Sequence, residues 1–92
     1  MTFEWDDSKE QENITKHGVS FETACMVFQD PRRIILEDIK HSIDEERFFA
    51  IGVVDEKILT VRFTFRGEIL RIFGAGYWRK EKAYYEKKYN LR

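Results

Sequence analysis

The segment from Lys57 to Phe65 constrains this chain more than any other, because from Leu59 onward it alternates apolar and polar residues without a break. In an extended strand, Leu59, Val61, Phe63 and Phe65 point to one side, and Thr60, Arg62 and Thr64 to the other. Turn residues at Asp55-Glu56 and Arg66-Gly67 bound it. It is therefore the middle strand of an expected antiparallel meander running Arg47 to Val54, Lys57 to Phe65 and Glu68 to Phe73. With a two-residue loop on each side, Val61 lies between Ala50 and Ile72, and Phe63 between Phe48 and Leu70. That is a continuous apolar face, which helices have to cover. The same register sets Arg62 opposite Arg71, flanked by Phe49, with Arg47 opposite Thr64. Like charges directly opposed cost up to about 1 kcal/mol unless an anion or a carboxylate lies between them.

The cover comes from the N-terminal third. Asp7 with Glu10 three residues later reads as a capping box for a helix to about Lys16, and Gly18 as its left-handed cap. Ser20 caps a second helix whose Phe21, Ala24, Cys25 and Phe28 form an apolar stripe, stopped by Asp30-Pro31. Phe3 to Trp5 is a short strand, Arg33 to Glu37 another, Asp38 to Glu46 a polar connection, and a last helix runs from near Trp78 to about Tyr89. The expected fold is α+β: one domain over residues 1–92, with two N-terminal helices packed on an antiparallel sheet of about four strands, and a C-terminal helix. Ninety-two residues, 42% hydrophobic and 15% aromatic, suit one small core and no more. No internal repeat or linker interrupts the pattern.

Several function classes drop out on composition. The single cysteine, Cys25, cannot close an internal disulfide, and no Cys/His cluster has metal-ligand spacing, so no metal and no cofactor is expected. The first residues carry neither a basic start nor an apolar run, and no stretch is long enough to span a bilayer. A soluble, cytoplasmic protein without a membrane partner is the expectation.

Charge is distributed unevenly along a chain of net charge −1. From Arg62 onward nine Lys and Arg face three Glu, a balance of +6 that leaves −7 on the first sixty-one residues. Such a basic C-terminal third suits phosphate or an acidic partner. Lys80, Lys82, Lys87 and Lys88 are better explained as the solvated face of an exposed helix. Arg47, Arg62 and Arg71 are either neutralised by carboxylates such as Glu45 and Glu46, or cradle a phosphodiester, whose oxygens a guanidinium fork matches.

A proton-transfer group lies near them in the sequence. Lys16-His17 closes the first helix beside the Gly18 turn, and imidazole is the side chain that exchanges protons near neutral pH. His17 is the base candidate, with Lys16 assisting electrostatically. A histidine there can also simply bond the last helix carbonyls. His41, next to Ser42, and Glu46, next to Arg47, are further candidates. Tyr77-Trp78 can stack a base or pack in the core. Trp78, Tyr85 and Tyr89 share one helix face, which either docks the helix or offers a partner an aromatic patch.

Taken in order, Phe3-Glu4-Trp5-Asp6, Lys9, Asn13, Lys16-His17-Gly18-Val19, Phe21, Ala24, Phe28, Asp30, Asp38, His41-Ser42, Glu45-Glu46-Arg47, Ile51-Gly52, Arg66-Gly67 and Arg71-Ile72 resemble the BrnT family of type II toxins over nearly the whole chain. The resemblance implies a RelE-like fold, metal-independent RNA cleavage, and a cognate antitoxin, BrnA, whose ribbon-helix-helix domain contacts operator DNA on behalf of the complex. For such a nuclease the candidate catalytic residues are His17, Lys16, Glu46, Arg47, Arg62 and Arg71, with RNA contacts expected from Arg66, Trp78 and Arg79, and an antitoxin surface at Tyr85 and Tyr89. One departure stands out. Where the family commonly continues Ile-Ser-Ala-Arg, this chain has Phe73-Gly74-Ala75-Gly76, so Arg79 has to replace the missing arginine or activity falls. A degenerate relative that binds a partner and cuts nothing is the rival expectation.

Overall fold

A computed structural model describes residues 1–91. Its elements run β1 (Thr2–Glu4), α1 (Asp7–His17), α2 (Phe21–Cys25), β2 (Ile34–Glu37), β3 (Phe48–Val54), β4 (Lys57–Arg66), β5 (Ile69–Gly76) and α3 (Arg79–Lys88), with short 3-10 turns at Met26–Gln29 and Ile39–His41. The sheet has five strands, in the order β1-β5-β4-β3-β2. It is mixed where about four antiparallel strands were expected, because β1 joins β5 in parallel through Thr2↔Ile69, Phe3↔Leu70 and Glu4↔Arg71. An Arg71 Nη1 to Glu4 Oε2 bond of 2.9 Å fastens that edge.

The β3–β4 hairpin has the expected register, with Phe48 opposite Phe63 and Ala50 opposite Val61. Its Asp55-Glu56 loop takes positive φ at both residues, the twist a two-residue hairpin favours. The β4–β5 register differs from expectation. Gly67, at φ 63°, takes the first loop position, so Arg66 pairs Ile69, Thr64 pairs Arg71 and Phe63 pairs Ile72. A bulge then sets Arg62 opposite Gly74 and Val61 opposite Ala75, leaving Phe73 as the extra residue. Arg62 and Arg71 are therefore not opposed, and no unfavourable pair has to be neutralised there.

The apolar face carries Ala50, Leu59, Val61, Phe63, Leu70 and Ile72, and packs against Val19, Phe21, Ala24 and Val27 from α2 and its flanking turns. The α2 helix is shorter than its stripe suggested, since the chain tightens to 3-10 geometry from Met26 on. Ser20 caps α2 as expected, its Oγ accepting from Thr23 N–H at 3.1 Å. The cap of α1 is Asp6 rather than Asp7: its Oδ1 accepts from Ser8 N–H at 2.8 Å. Glu10, released from a capping box, instead accepts the Phe21 N–H at 2.9 Å and so ties the start of α2 to α1.

Helix α3 covers part of the opposite sheet face, where Tyr85 packs with Ile34 and Ile51, bordered by Leu36, Ile58 and Tyr89. The Tyr85 hydroxyl donates to Asp30 Oδ2 at 2.7 Å, and the Tyr89 hydroxyl to the Arg32 carbonyl at 2.7 Å. Asp30 also accepts from the Val53 and Arg32 N–H groups, both at 2.8 Å. One carboxylate thus joins the end of the helical cover, strand β3 and helix α3.

Candidate functional site

Beyond α3 the same sheet face is uncovered, and there Arg62, Phe49, Arg71 and Phe73 lie half-buried. Helix α1 stands beside the β5 end of this face. Residues 9, 13, 16 and 17 recur at i, i+4, i+7 and i+8, so Lys9, Asn13, Lys16 and His17 share one helix face. Together with Glu12, Arg62, Phe73, Gly74 and Trp78 they line a cleft of about 160 Å³. Three cationic side chains and one imidazole meet there against a single carboxylate.

The turn that presents them is set locally. Gly18 adopts φ 69° and its N–H bonds the Ile14 carbonyl at 2.8 Å, so α1 stops at His17 and the chain folds back to the core at Val19. The His17 ring meets the Trp78 indole edge-on, with centroids 5.5 Å apart. A Cβ on Gly76 would lie 2.6–2.9 Å from that indole, so the indole occupies the space a side chain at 76 would need. A Cβ on Gly74 would sit 3.6 Å from Asn13 Oδ1 and 4.0 Å from Arg62 Cδ, an ordinary distance. The bulge at Phe73 and the bareness of β5 let the Arg62 stem reach α1.

The other singled-out residues lie elsewhere. Arg71 is engaged with Glu4, and Arg66 with Glu45 at 3.5 Å. The Arg47 guanidinium stacks on the Phe73 ring, 4.4 Å from its centroid, with Nη2 3.7 Å from Glu45. Its Nε is buried and has no protein hydrogen-bond partner among the described residues. Since Phe73 also walls the cleft, Arg47 adjoins it from the far side. The exposed Glu46 does not line the cleft; its backbone carbonyl accepts from the Thr64 hydroxyl. Arg79 is exposed in the first turn of α3. His41 Nδ1 is 2.9 Å from Asp38 Oδ2, in a loop that Ser42 ties to Arg47 through an Arg47 N–H to Ser42 Oγ bond of 2.8 Å.

Tyr85 is 2% exposed and lies inside the fold, so a partner cannot cover it. Burial and the Asp30 bond push its phenol up to about 12. Cys25, too, has its thiol pushed up by burial, which disfavours the reactive thiolate. Among the described residues no group of three or more His, Cys, Asp or Glu is placed to hold a metal ion. No described helix is long and apolar enough to cross a membrane. Lys9, Glu12 and Asn13 were not singled out as site residues in the sequence, although their helical spacing from Lys16 and His17 was the available signal.

Fold and cleft define a small α+β domain with a five-stranded mixed sheet and a cationic, imidazole-bearing recess. The family model for BrnT, the ribonuclease toxin of type II toxin-antitoxin systems, matches residues 5–82 of the chain, which belongs to that family. No curated protein matches it.

Proposed function

We propose that this protein is a cytoplasmic endoribonuclease toxin that cuts RNA by attack of the substrate's own 2′-hydroxyl, without a metal, and thereby inhibits translation. The observation that carries this reading is the meeting of Lys9, Lys16 and His17 from one helix with Arg62 from the sheet in one cleft. RNA carries its nucleophile, so the protein has to supply a base, a cationic cradle and a proton for the leaving oxygen. His17 takes the 2′-OH proton as the O2′–P bond forms. Arg62 holds the non-bridging oxygens and, with Lys9 and Lys16, offsets the charge of the phosphorane. As the P–O5′ bond breaks, the 5′-oxygen takes a proton from water or an ammonium in the same cleft. The flanking strand crosses the sheet face past Phe73 and the Arg47 guanidinium stacked on it, while Trp78 and the exposed Tyr77 offer rings for a base.

The partner is a BrnA-like antitoxin with a ribbon-helix-helix domain, through which alone the complex reaches operator DNA, and the fold is of the RelE-like kind. The test is cleavage of a short RNA in the presence of a chelator. His17→Ala and Arg62→Ala lower the rate by roughly 10²-fold or more, the scale of general acid–base catalysis, while Glu46→Gln does not. Parental rates for both cleft variants would overturn the reading. A second reading, a binding module that cuts nothing, draws on the Trp78 indole filling the space beside Gly76. Expression without antitoxin separates the two, because only a nuclease arrests growth.

A further inference from the structure

Asn13 is the one residue of α1 that is buried, on a helix otherwise made of exposed or half-exposed side chains. Its amide is fully engaged: Nδ2 donates to the Val19 and Ala75 carbonyls, each at 2.9 Å, and Oδ1 accepts the Ala75 N–H at 3.1 Å. β1 accompanies β5 only as far as Arg71, so the outer edge of β5 at Ala75 has no neighbouring strand. The Asn13 carboxamide stands there instead, pairing both backbone groups of Ala75 as a peptide unit of a strand would. Its third bond holds the chain just past the Lys16-His17-Gly18 turn.

We propose that Asn13 is the positioning residue of the cleft, fixing where Lys16 and His17 stand relative to Arg62; this rests on reading that cleft as the RNA-cutting site. Directionality is the argument. An apolar residue at 13 would hold α1 against β5 while tolerating a slip along or about the helix axis, and a slip of one residue turns the helix by about 100° and moves it about 1.5 Å. Three bonds from one planar amide permit no such slip. The opposite wall stands close by, since Asn13 Oδ1 and Arg62 Cδ flank Gly74, 3.6 Å and 4.0 Å from where a Cβ there would sit. A misplacement of about 1 Å in catalytic groups costs on the order of 10²-fold in rate.

Two variants and one cycle test this. Asn13→Asp keeps the acceptor for Ala75 N–H but turns both donated bonds into contacts between a carboxylate and carbonyl oxygens. Asn13→Gln keeps every hydrogen-bonding group and lengthens the side chain by one carbon–carbon bond, about 1.5 Å, so it folds and displaces α1. For both, at temperatures where circular dichroism shows the folded state, kcat falls by roughly 100-fold while the Kd for RNA changes little. On a His17→Ala background Asn13→Gln costs markedly less than it does alone, since the part that acts through His17 is already lost. The His17 ring resonances, shifted by the Trp78 indole 5.5 Å away, move toward their random-coil positions in Asn13→Gln while core methyl signals remain. Parental kcat and unmoved His17 resonances in folded Asn13→Gln overturn the proposal, as does a loss that adds in full to that of His17→Ala. If instead His17→Ala and Arg62→Ala both cut at the parental rate, the cleft reading itself fails and Asn13 positions nothing.

Discussion

Replacing Tyr85 with phenylalanine removes a single hydroxyl from the joint between α3 and the rest of the molecule. That hydroxyl sits on a buried residue and donates to Asp30 Oδ2 at 2.7 Å. A hydrogen bond to an ionised acceptor contributes roughly 1.5–3 kcal/mol. Asp30 is only half-buried and keeps two further N–H donors, so its carboxylate is not stranded and the loss falls to about 1–2 kcal/mol. In a domain of this size each kcal/mol lowers Tm by about 4–8 °C. The alkaline limb supplies a second readout. Burial, then the bond to Asp30 and its charge, raise the folded-state phenol from 10 to about 12. A raised value means that the contribution is complete below pH 10 and is lost as pH climbs toward 12. Urea unfolding at neutral pH and through that window should show Tyr85→Phe less stable at first, with the gap closing as the native phenol ionises. Equal stability at neutral pH, or a gap that stays constant through the window, refutes the role assigned to this bond.

Four other outcomes follow from the same geometry. Gly76→Ala forces a methyl into the Trp78 indole at 2.6–2.9 Å and should cost roughly 1–3 kcal/mol, whereas Gly74→Ala, with neighbours at 3.6 Å and 4.0 Å, should be near neutral by thermal melting. Glu56→Gly relieves a non-glycine φ of 67° and should stabilise the hairpin by up to about 1 kcal/mol in urea titrations. Arg71→Ala breaks the half-exposed bond to Glu4 and should lower stability by about 1 kcal/mol, yet spare cleavage more than Arg62→Ala does. At the acid end, burial pushes the Asp30 carboxyl up, but the bonds from Tyr85, Val53 and Arg32 together bring it below the ordinary 3.8. Its contribution is therefore present above 3.8 and lost as pH falls below it, and Asp30→Asn should flatten that limb in acid titrations followed by circular dichroism.

The parts of this fold that local pattern could reach were those with short-range causes. The β3–β4 register followed from strict alternation and the Asp55-Glu56 loop, and the ends of α1 and α2 from Gly18 and Ser20. The β4–β5 register escaped because one glycine moved the loop by a residue and Phe73 bulged, and a bulge depends on what lies on both sides of the strand. β1 was readable as a strand but not as part of the sheet, since its partner lies more than sixty positions away. Asn13 gave no local sign of burial, because a polar residue on a polar helix looks solvated until the strand edge that it completes is in place. Of the cationic residues, Arg62 and Lys16 came together with His17, whereas Arg71 turned to Glu4, a choice only the parallel pairing of β1 could reveal.

The pairing of Thr2–Glu4 with Ile69–Arg71, and of Asn13 with Ala75, also orders events during synthesis. The helix bearing His17 is made before the strand edge that anchors it. A nascent chain therefore carries the imidazole and no completed cleft, and long-range closure of this kind is slow compared with hairpin formation. On the reading of that cleft proposed above, its chemistry waits until β5 has been made and α1 has docked against it.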